Sequence, residues 1–150
     1  MVIDAHLPYL AMAKYYLNQK ERRKAADLLE RVPSPTRAED LVELAVLYKR
    51  SGQLEDAHSV FSTNYDLVKD DPKAVHEFAQ TKLKLADQLR SKDATTKRRL
   101  TRDAVELLRR TIQLSDDSVR NGWCYYDLAR ALTKLKAPDT EVNQAYARAI

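Results

Sequence analysis

Apolar residues recur along this sequence at the spacing of an α-helix, in segments separated by turn-forming residues. Side chains three and four positions apart lie on one face of a helix. The segments 5–18, 37–50 and 97–114 each carry such a stripe: Tyr9, Met12, Ala13 and Tyr16; Leu41, Leu44, Ala45 and Tyr48; Ala104, Leu107, Leu108, Thr111 and Ile112. Each segment is therefore predicted to be an amphipathic helix that needs a neighbour to bury its apolar face.

The composition excludes folds built on strands. Only 2 of the 150 residues are Gly, and Ala, Leu, Glu, Lys and Arg, which favour helices, are abundant. The length is that of one domain able to bury a core. We therefore predict an all-α chain and exclude β-sandwich, barrel and α/β folds.

Turn signals divide the chain into eight predicted helices. Breaks at 33–35, 51–53, 70–72, 91–96, 115–118 and 137–139, with a turn at Lys20 in the first pair, leave helices at about 5–18, 22–32, 37–50, 54–69, 73–91, 97–114, 118–136 and 139–150. Asp71 before Pro72 predicts a capped helix start, and Thr36 with Glu39 predicts a capping box. Eight helices in this order are expected to form four antiparallel pairs.

Small residues recur at a fixed spacing within and between the pairs. Ala45 and Ala57 lie 12 residues apart with Gly52 in the turn between them, and Ala13 and Ala25 repeat this spacing 32 residues earlier. In a unit starting at Ala38, positions 4, 7, 8, 11, 15, 20 and 24 are Leu41, Leu44, Ala45, Tyr48, Gly52, Ala57 and Phe61. This pattern resembles the tetratricopeptide repeat. The resemblance implies a right-handed α-α superhelix of about eight antiparallel helices.

Four repeat-like units make up the expected single domain 1–150, at about 6–36, 37–72, 73–116 and 118–150. The first unit has Lys20 where Gly is usual, and the fourth has Val142 in place of a small residue. The third departs most, with about six residues inserted at 90–97. Because the last helical pattern continues to Ile150, we expect the chain to be a fragment of a longer protein.

The resemblance implies a binding face on the concave side, formed by the first helix of each pair. Family members hold an extended peptide or a helix of another protein there. Positions 2, 5, 9 and 12 of the units lie on this side, and the expected groove residues among them are Leu10, Lys14, Leu17, Val42, Val46, Lys49, Leu83, Arg90, Trp123, Tyr126 and Arg130. The apolar members would contact the partner and the cations would attract its acidic groups. The alternative is that these residues pack between adjacent first helices.

No arrangement of residues typical of catalysis is present. His6, His58 and His76 are not spaced to share a metal ion, and Cys124 has no activating His nearby in sequence. Two glycines, at 52 and 122, cannot form a phosphate-binding loop. We expect a non-catalytic interaction module without cofactor or metal.

Two further functions stay open. The basic run at 97–110 could bind nucleic acid, but it lacks interleaved aromatic residues, so nucleic acid is not the expected partner. The chain could instead be an oligomerisation or regulatory segment that associates through exposed end repeats. No apolar stretch approaches the ~20 residues that span a bilayer, and a lone cysteine favours a cytoplasmic location.

Overall fold

A computed structural model describes residues 4–90 and 93–150, and within them it contains helices and no strand. The all-α prediction is confirmed. The helices in chain order are α1 Leu7–Asn18, α2 Arg22–Leu29, α3 Ala38–Arg50, α4 Leu54–Thr63, α5 Tyr65–Val68, α6 Pro72–Gln88, α7 Ala94–Leu114, α8 Ser118–Lys134 and α9 Asp139–Arg148.

The chain divides into two compact units, Met1–Val68 and Lys69–Ile150. In unit 1, α1 packs on α2 and α3 packs on α4, and α3 also contacts both α1 and α2. In unit 2, α6 packs on α7 and α8 packs on α9, and α8 also contacts both α6 and α7. Each unit is therefore two helix pairs in which the first helix of the second pair lies on both helices of the first. This is a helical-repeat arrangement.

The core of unit 1 consists of the residues that carry the repeat pattern. One cluster joins α1, α2 and α3 through Leu10, Ala13, Ala25, Leu29, Leu44 and Leu47. Ala13 and Ala25 have no exposed surface. Small side chains at these two positions let helices approach closely, so the predicted spacing of 12 residues marks a contact between the paired helices.

The core of unit 2 is built from the inner faces of four helices. Ala104, Leu108, Thr111, Cys124 and Ala129 are fully buried. The hydroxyl of Thr111 donates a hydrogen bond to the carbonyl of Leu107 at 2.9 Å, which satisfies its polar group inside the core. The apolar stripe predicted for 97–114 is the buried face of α7.

The same turn ends α1, α3 and α8. Residues Lys20, Gly52 and Lys136 have φ of 61°, 87° and 57°, in the left-handed region. The amides of Lys20 and Glu21 donate to the carbonyls of Leu17 and Tyr16, and the equivalent bonds recur at the other two turns. These bonds define a Schellman motif. A lysine fills the glycine position in two of the three turns.

The predicted helix 54–69 is wrong as one element, because it is interrupted at Asn64. The side-chain amide of Asn64 donates to the carbonyl of Val60 at 2.8 Å, as does its backbone amide at 3.2 Å. An Asn side chain that bonds to its own helix competes with the next turn of backbone bonds. The chain continues as the short helix α5, which raises the number of helices in the described residues to nine.

Helix starts follow the sequence in one case and not in another. Asp71 caps α6 by accepting from the amide of Lys73 at 3.0 Å, with Pro72 as the first helical residue, as predicted. The capping box at Thr36 is wrong, because α3 begins one residue later with Arg37 as N-cap and no side-chain cap. Arg37 is held instead by ion pairs to Asp4 and Asp40 at 3.3 and 3.1 Å.

The connection in the third pair lies earlier in the chain than predicted, because α6 ends at Gln88 rather than at 91. Helix α7 begins at Ala94 rather than at 97, so part of the inserted sequence extends this helix to 21 residues. Residues 91 and 92 of the predicted insertion lie outside the described residues. The extra residues therefore lengthen the second helix of the pair.

Candidate functional site

Two of the predicted groove residues belong to the core. Leu10 packs in the cluster that joins α1, α2 and α3, and Val42 on α3 is also buried. Neither side chain has surface left for a partner, so the expectation that they line an open groove is wrong. At Leu10 the alternative holds, in which a predicted groove residue packs between adjacent helices.

The other predicted residues of unit 1 offer mostly charge. Lys14 is exposed, and Val46 and Lys49 are half-buried. Leu17 packs against the core cluster and lines a cavity of about 550 Å³ whose other walls are the cations Lys20, Arg22 and Arg50. Unit 1 therefore presents little apolar surface at these positions.

In unit 2, α6 and α8 enclose a groove of about 260 Å³, here called the α6–α8 groove. Two predicted residues, Leu83 on α6 and Arg130 on α8, line it. The full lining is Gln80, Leu83, Lys84, Asp87, Asp127, Arg130, Ala131 and Lys134. The structure thus brings two of the residues chosen by repeat position together at one groove between the first helices of these two pairs. Arg90 is exposed beyond the end of α6 and does not line it.

Both carboxylates of the groove are engaged by neighbouring side chains. The Oδ2 atom of Asp127 lies 3.1 Å from Nε2 of His76 and accepts from the amide of Gln80 at 3.2 Å. Asp87 accepts a hydrogen bond from the ammonium of Lys134. These contacts join α6 to α8 at two points.

Two cations of the groove are not neutralised. Within the part of the chain that the structure describes, the side chains of Lys84 and Arg130 form no ion pair. Arg130 instead lies over the ring of Tyr126, with its guanidinium carbon 5.9 Å from the ring centre. The groove therefore offers unpaired positive charge beside the apolar side chain of Leu83.

Trp123 and Tyr126 lie on a different surface from the α6–α8 groove. With Val119, Tyr146 and Ile150 they form an exposed patch on α8 and α9, here called the aromatic face. The Trp123 and Tyr126 rings meet edge to face at 6.0 Å, and the Tyr126 and Tyr146 rings lie 6.1 Å apart. The sequence analysis missed Tyr146, although it stands at a repeat position where the first unit has a buried leucine.

The basic run at 97–110 does not form one free surface. Arg109 pairs with Glu141 at 3.0 Å, and Arg110 pairs with Asp70 at 2.8 Å. Lys97 and Arg98 line a separate cavity of about 410 Å³ together with Lys134 and Lys136. Four of the cations expected to act together on nucleic acid are therefore divided between ion pairs and a second cavity, and Arg99 and Arg102 are exposed on the basic face of α7.

Cys124 is buried, and this burial raises the pKa of its thiol to about 12. A neutral buried thiol is a poor nucleophile. Among the described residues, no three His, Cys, Asp or Glu side chains are grouped as metal ligands would be. No helix in the same residues combines the length and the apolar character needed to span a bilayer.

Comparison with known proteins adds no assignment to this geometry. No protein-family model, curated protein or solved structure matches the chain.

Proposed function

We propose that the chain is a non-catalytic protein-interaction module whose α6–α8 groove binds an acidic peptide or helical segment of another protein. The charge balance of the groove carries this proposal. Asp87 and Asp127 are already engaged inside the protein, whereas Lys84 and Arg130 are not ion-paired among the described residues. The lining carries three cations against two carboxylates, and the two cations without an ion pair are available to a ligand carboxylate.

Apolar contact at the same place supports the proposal. Leu83 is half-buried and lines the groove together with Arg130. Arg is among the residues that most often dominate binding energy at interfaces. An amphipathic segment with an acidic residue beside an apolar one fits this pairing of surfaces.

The groove is also held in place before any ligand arrives. The contacts of Asp127 with His76 and Gln80, and of Lys134 with Asp87, link its two walls. Binding to a surface that is already ordered costs less conformational entropy than binding to a mobile one. Because the groove itself needs little ordering, most of the entropic cost of binding falls on the ligand segment alone.

A tetratricopeptide-like repeat in a cytoplasmic protein is part of the same proposal. It is supported by the shared spacing of Ala13 with Ala25 and of Ala45 with Ala57, and by the same turn after α1, α3 and α8. A single buried cysteine suits a reducing compartment.

The test is selection of ligands from a displayed random-peptide library, followed by calorimetric titration of the enriched peptides. We expect acidic peptides with an apolar residue, bound more weakly as salt is raised. The double substitution Leu83→Asp/Arg130→Glu should reduce affinity more than tenfold.

Leu67→Asp and Arg102→Glu are the matched controls, since Leu67 is exposed on α5 and Arg102 is exposed on α7. They should leave affinity unchanged. Enrichment of peptides without acidic residues, or equal binding by the groove variant, would contradict the proposal. A loss of affinity caused by Arg102→Glu would place binding on the basic face of α7 instead.

A further inference from the structure

The interface between the first two helix pairs shows how one pair receives the next. Leu44 and Leu47 on α3 join the cluster formed by Leu10 on α1 and Leu29 on α2. All four side chains are buried. In the repeat unit that starts at Ala38, Leu44 and Leu47 stand at positions 7 and 10, and these positions of its first helix pack onto the preceding pair.

The same two positions on α1 are exposed. Met12 and Tyr15 stand 32 residues before Leu44 and Leu47. Tyr15 is 53% exposed, whereas Leu47 is 2% exposed. Helix α1 thus presents a Met and a Tyr on the face with which α3 contacts its neighbours.

The receiving face is exposed on the fourth pair. Tyr126 stands 116 residues after Leu10, and Tyr146 stands 117 after Leu29, in keeping with one extra residue in the turn between α8 and α9. Tyr126 is 40% exposed, compared with 2% for Leu10. The aromatic face is therefore the equivalent of the surface of α1 and α2 that α3 covers.

We infer that α1 of a second copy of this chain packs on the aromatic face, head to tail. Met12 and Tyr15 of one copy would contact Trp123, Tyr126 and Tyr146 of the other, as Leu44 and Leu47 contact Leu10 and Leu29 within one chain. Met is flexible and polarisable and packs well against aromatic rings. An interface between two different faces leaves each end copy with one open face, so association continues into longer assemblies or closes into a ring.

The distribution of charge favours contact of α1 with the aromatic face over contact between two aromatic faces. Residues 1–68 carry nine basic and ten acidic side chains, whereas residues 69–150 carry 17 and 12. Two copies that met through their aromatic faces would bring together two units that each carry five more basic than acidic side chains. Contact between unit 1 of one copy and unit 2 of the other avoids this repulsion.

The inference is independent of the peptide-binding proposal, since Met12, Tyr15, Trp123 and Tyr146 lie outside the α6–α8 groove. The experiment is light scattering after size exclusion, over a hundredfold range of concentration. Two variants each block one face: Met12→Glu/Tyr15→Glu and Trp123→Glu/Tyr146→Glu. Leu67→Glu is the control for an exposed apolar residue elsewhere, and circular dichroism checks that each variant is helical.

We expect the unmodified chain and the control to rise above the monomer mass of 17.2 kDa as concentration increases. Each face variant alone should stay monomeric. An equimolar mixture of the two variants should form a dimer and nothing larger. The Trp123→Glu/Tyr146→Glu variant supplies an intact α1, and the Met12→Glu/Tyr15→Glu variant supplies an intact aromatic face.

Three results would overturn the inference. They are a monomer at every concentration for the unmodified chain, continued self-association of the Met12→Glu/Tyr15→Glu variant, and no heterodimer in the mixture. The second result would show that the aromatic face binds another aromatic face. Should the Trp123→Glu/Tyr146→Glu variant lose its helical signal, the milder Trp123→Ser/Tyr146→Ser variant replaces it in the same mixture.

Discussion

Lys20 and Gly52, 32 residues apart, occupy the same left-handed turn position, with φ of 61° and 87°. A residue with a Cβ pays about 1–2 kcal/mol in this region, and glycine does not. The turn after α1 therefore carries strain that the turn after α3 avoids, although both make the same two backbone hydrogen bonds.

Replacement of the turn lysines by glycine should stabilise the protein. We expect Lys20→Gly and Lys136→Gly each to raise the free energy of unfolding by about 0.5–1 kcal/mol, because the left-handed conformation is relieved. Gly52→Ala should lower it by about 1 kcal/mol for the opposite reason. Urea titration measures these changes.

The control for the turn substitutions is Lys14→Gly within α1, where glycine costs about 1 kcal/mol relative to a helix-forming residue. Stabilisation by Lys14→Gly, or destabilisation by Lys20→Gly, would contradict the account of the turn.

Ala45 has no exposed surface at the position where the paired helices approach each other. We expect Ala45→Leu to destabilise the protein by about 1–3 kcal/mol, since added methylene groups have no room in a packed interior. Ala38→Leu, at the exposed start of α3, should change stability by less than about 0.5 kcal/mol. Equal effects of the two substitutions in thermal unfolding would show that Ala45 does not mark a close helix contact.

The buried Cys124 thiol should be unreactive in the folded protein. Its pKa is raised to about 12, so very little thiolate exists at pH 8. We expect iodoacetamide to label the chain at pH 8 in urea but not in its absence. A Cys124→Ser/Thr133→Cys chain, with the thiol at an exposed position on α8, should be labelled under both conditions; fast labelling of the unmodified folded chain would contradict this burial.

The same pKa predicts a loss of stability at alkaline pH. The pKa of the thiol is higher in the folded than in the unfolded chain, so the unfolded state releases this proton first as pH rises. The free energy of unfolding should therefore decline above pH 9, and this decline should be smaller in Cys124→Ser. If the free energy of unfolding changed identically in the two chains between pH 9 and 11, the thiol of Cys124 would not contribute to this loss of stability.

His76 and Asp127 should be energetically coupled across α6 and α8. Their side chains meet at 3.1 Å, and the exposed fraction of each is small. Because removal of either partner leaves the other buried without it, we expect a coupling of about 1–3 kcal/mol in a cycle of His76→Ala, Asp127→Ala and the double variant. Additive losses would mean that the contact contributes nothing to the packing of α8 on α6.

The helices were predictable because their signals are local. An apolar stripe such as Ala104, Leu108 and Thr111 follows from the period of the helix, and Asp71 before Pro72 follows from capping chemistry. The break at Asn64 was not predictable in this way, since the same side chain is tolerated in many helices. Arg37, the N-cap of α3, is paired with Asp4, a partner 33 residues earlier that one segment does not reveal.

Repeat positions give the helix face of a residue but not its neighbours, so the predicted groove residues have different surroundings. Leu83 and Arg130 line the α6–α8 groove. Leu10 and Val42 occupy the same repeat position as Leu83 in earlier units but are buried. Tyr146 was missed because it stands on a second helix, and its exposure depends on whether another pair packs there.

The central claim is that the α6–α8 groove binds an acidic segment of another protein. The most direct measurement places a photo-reactive amino acid at Leu83 and, in a separate chain, at Glu106 on the exposed side of α7, and exposes both to light in lysate. The account predicts a discrete protein adduct from position 83, mapped by mass spectrometry to an acidic segment and absent at position 106. No adduct at position 83, or the same adducts at both positions, would contradict it.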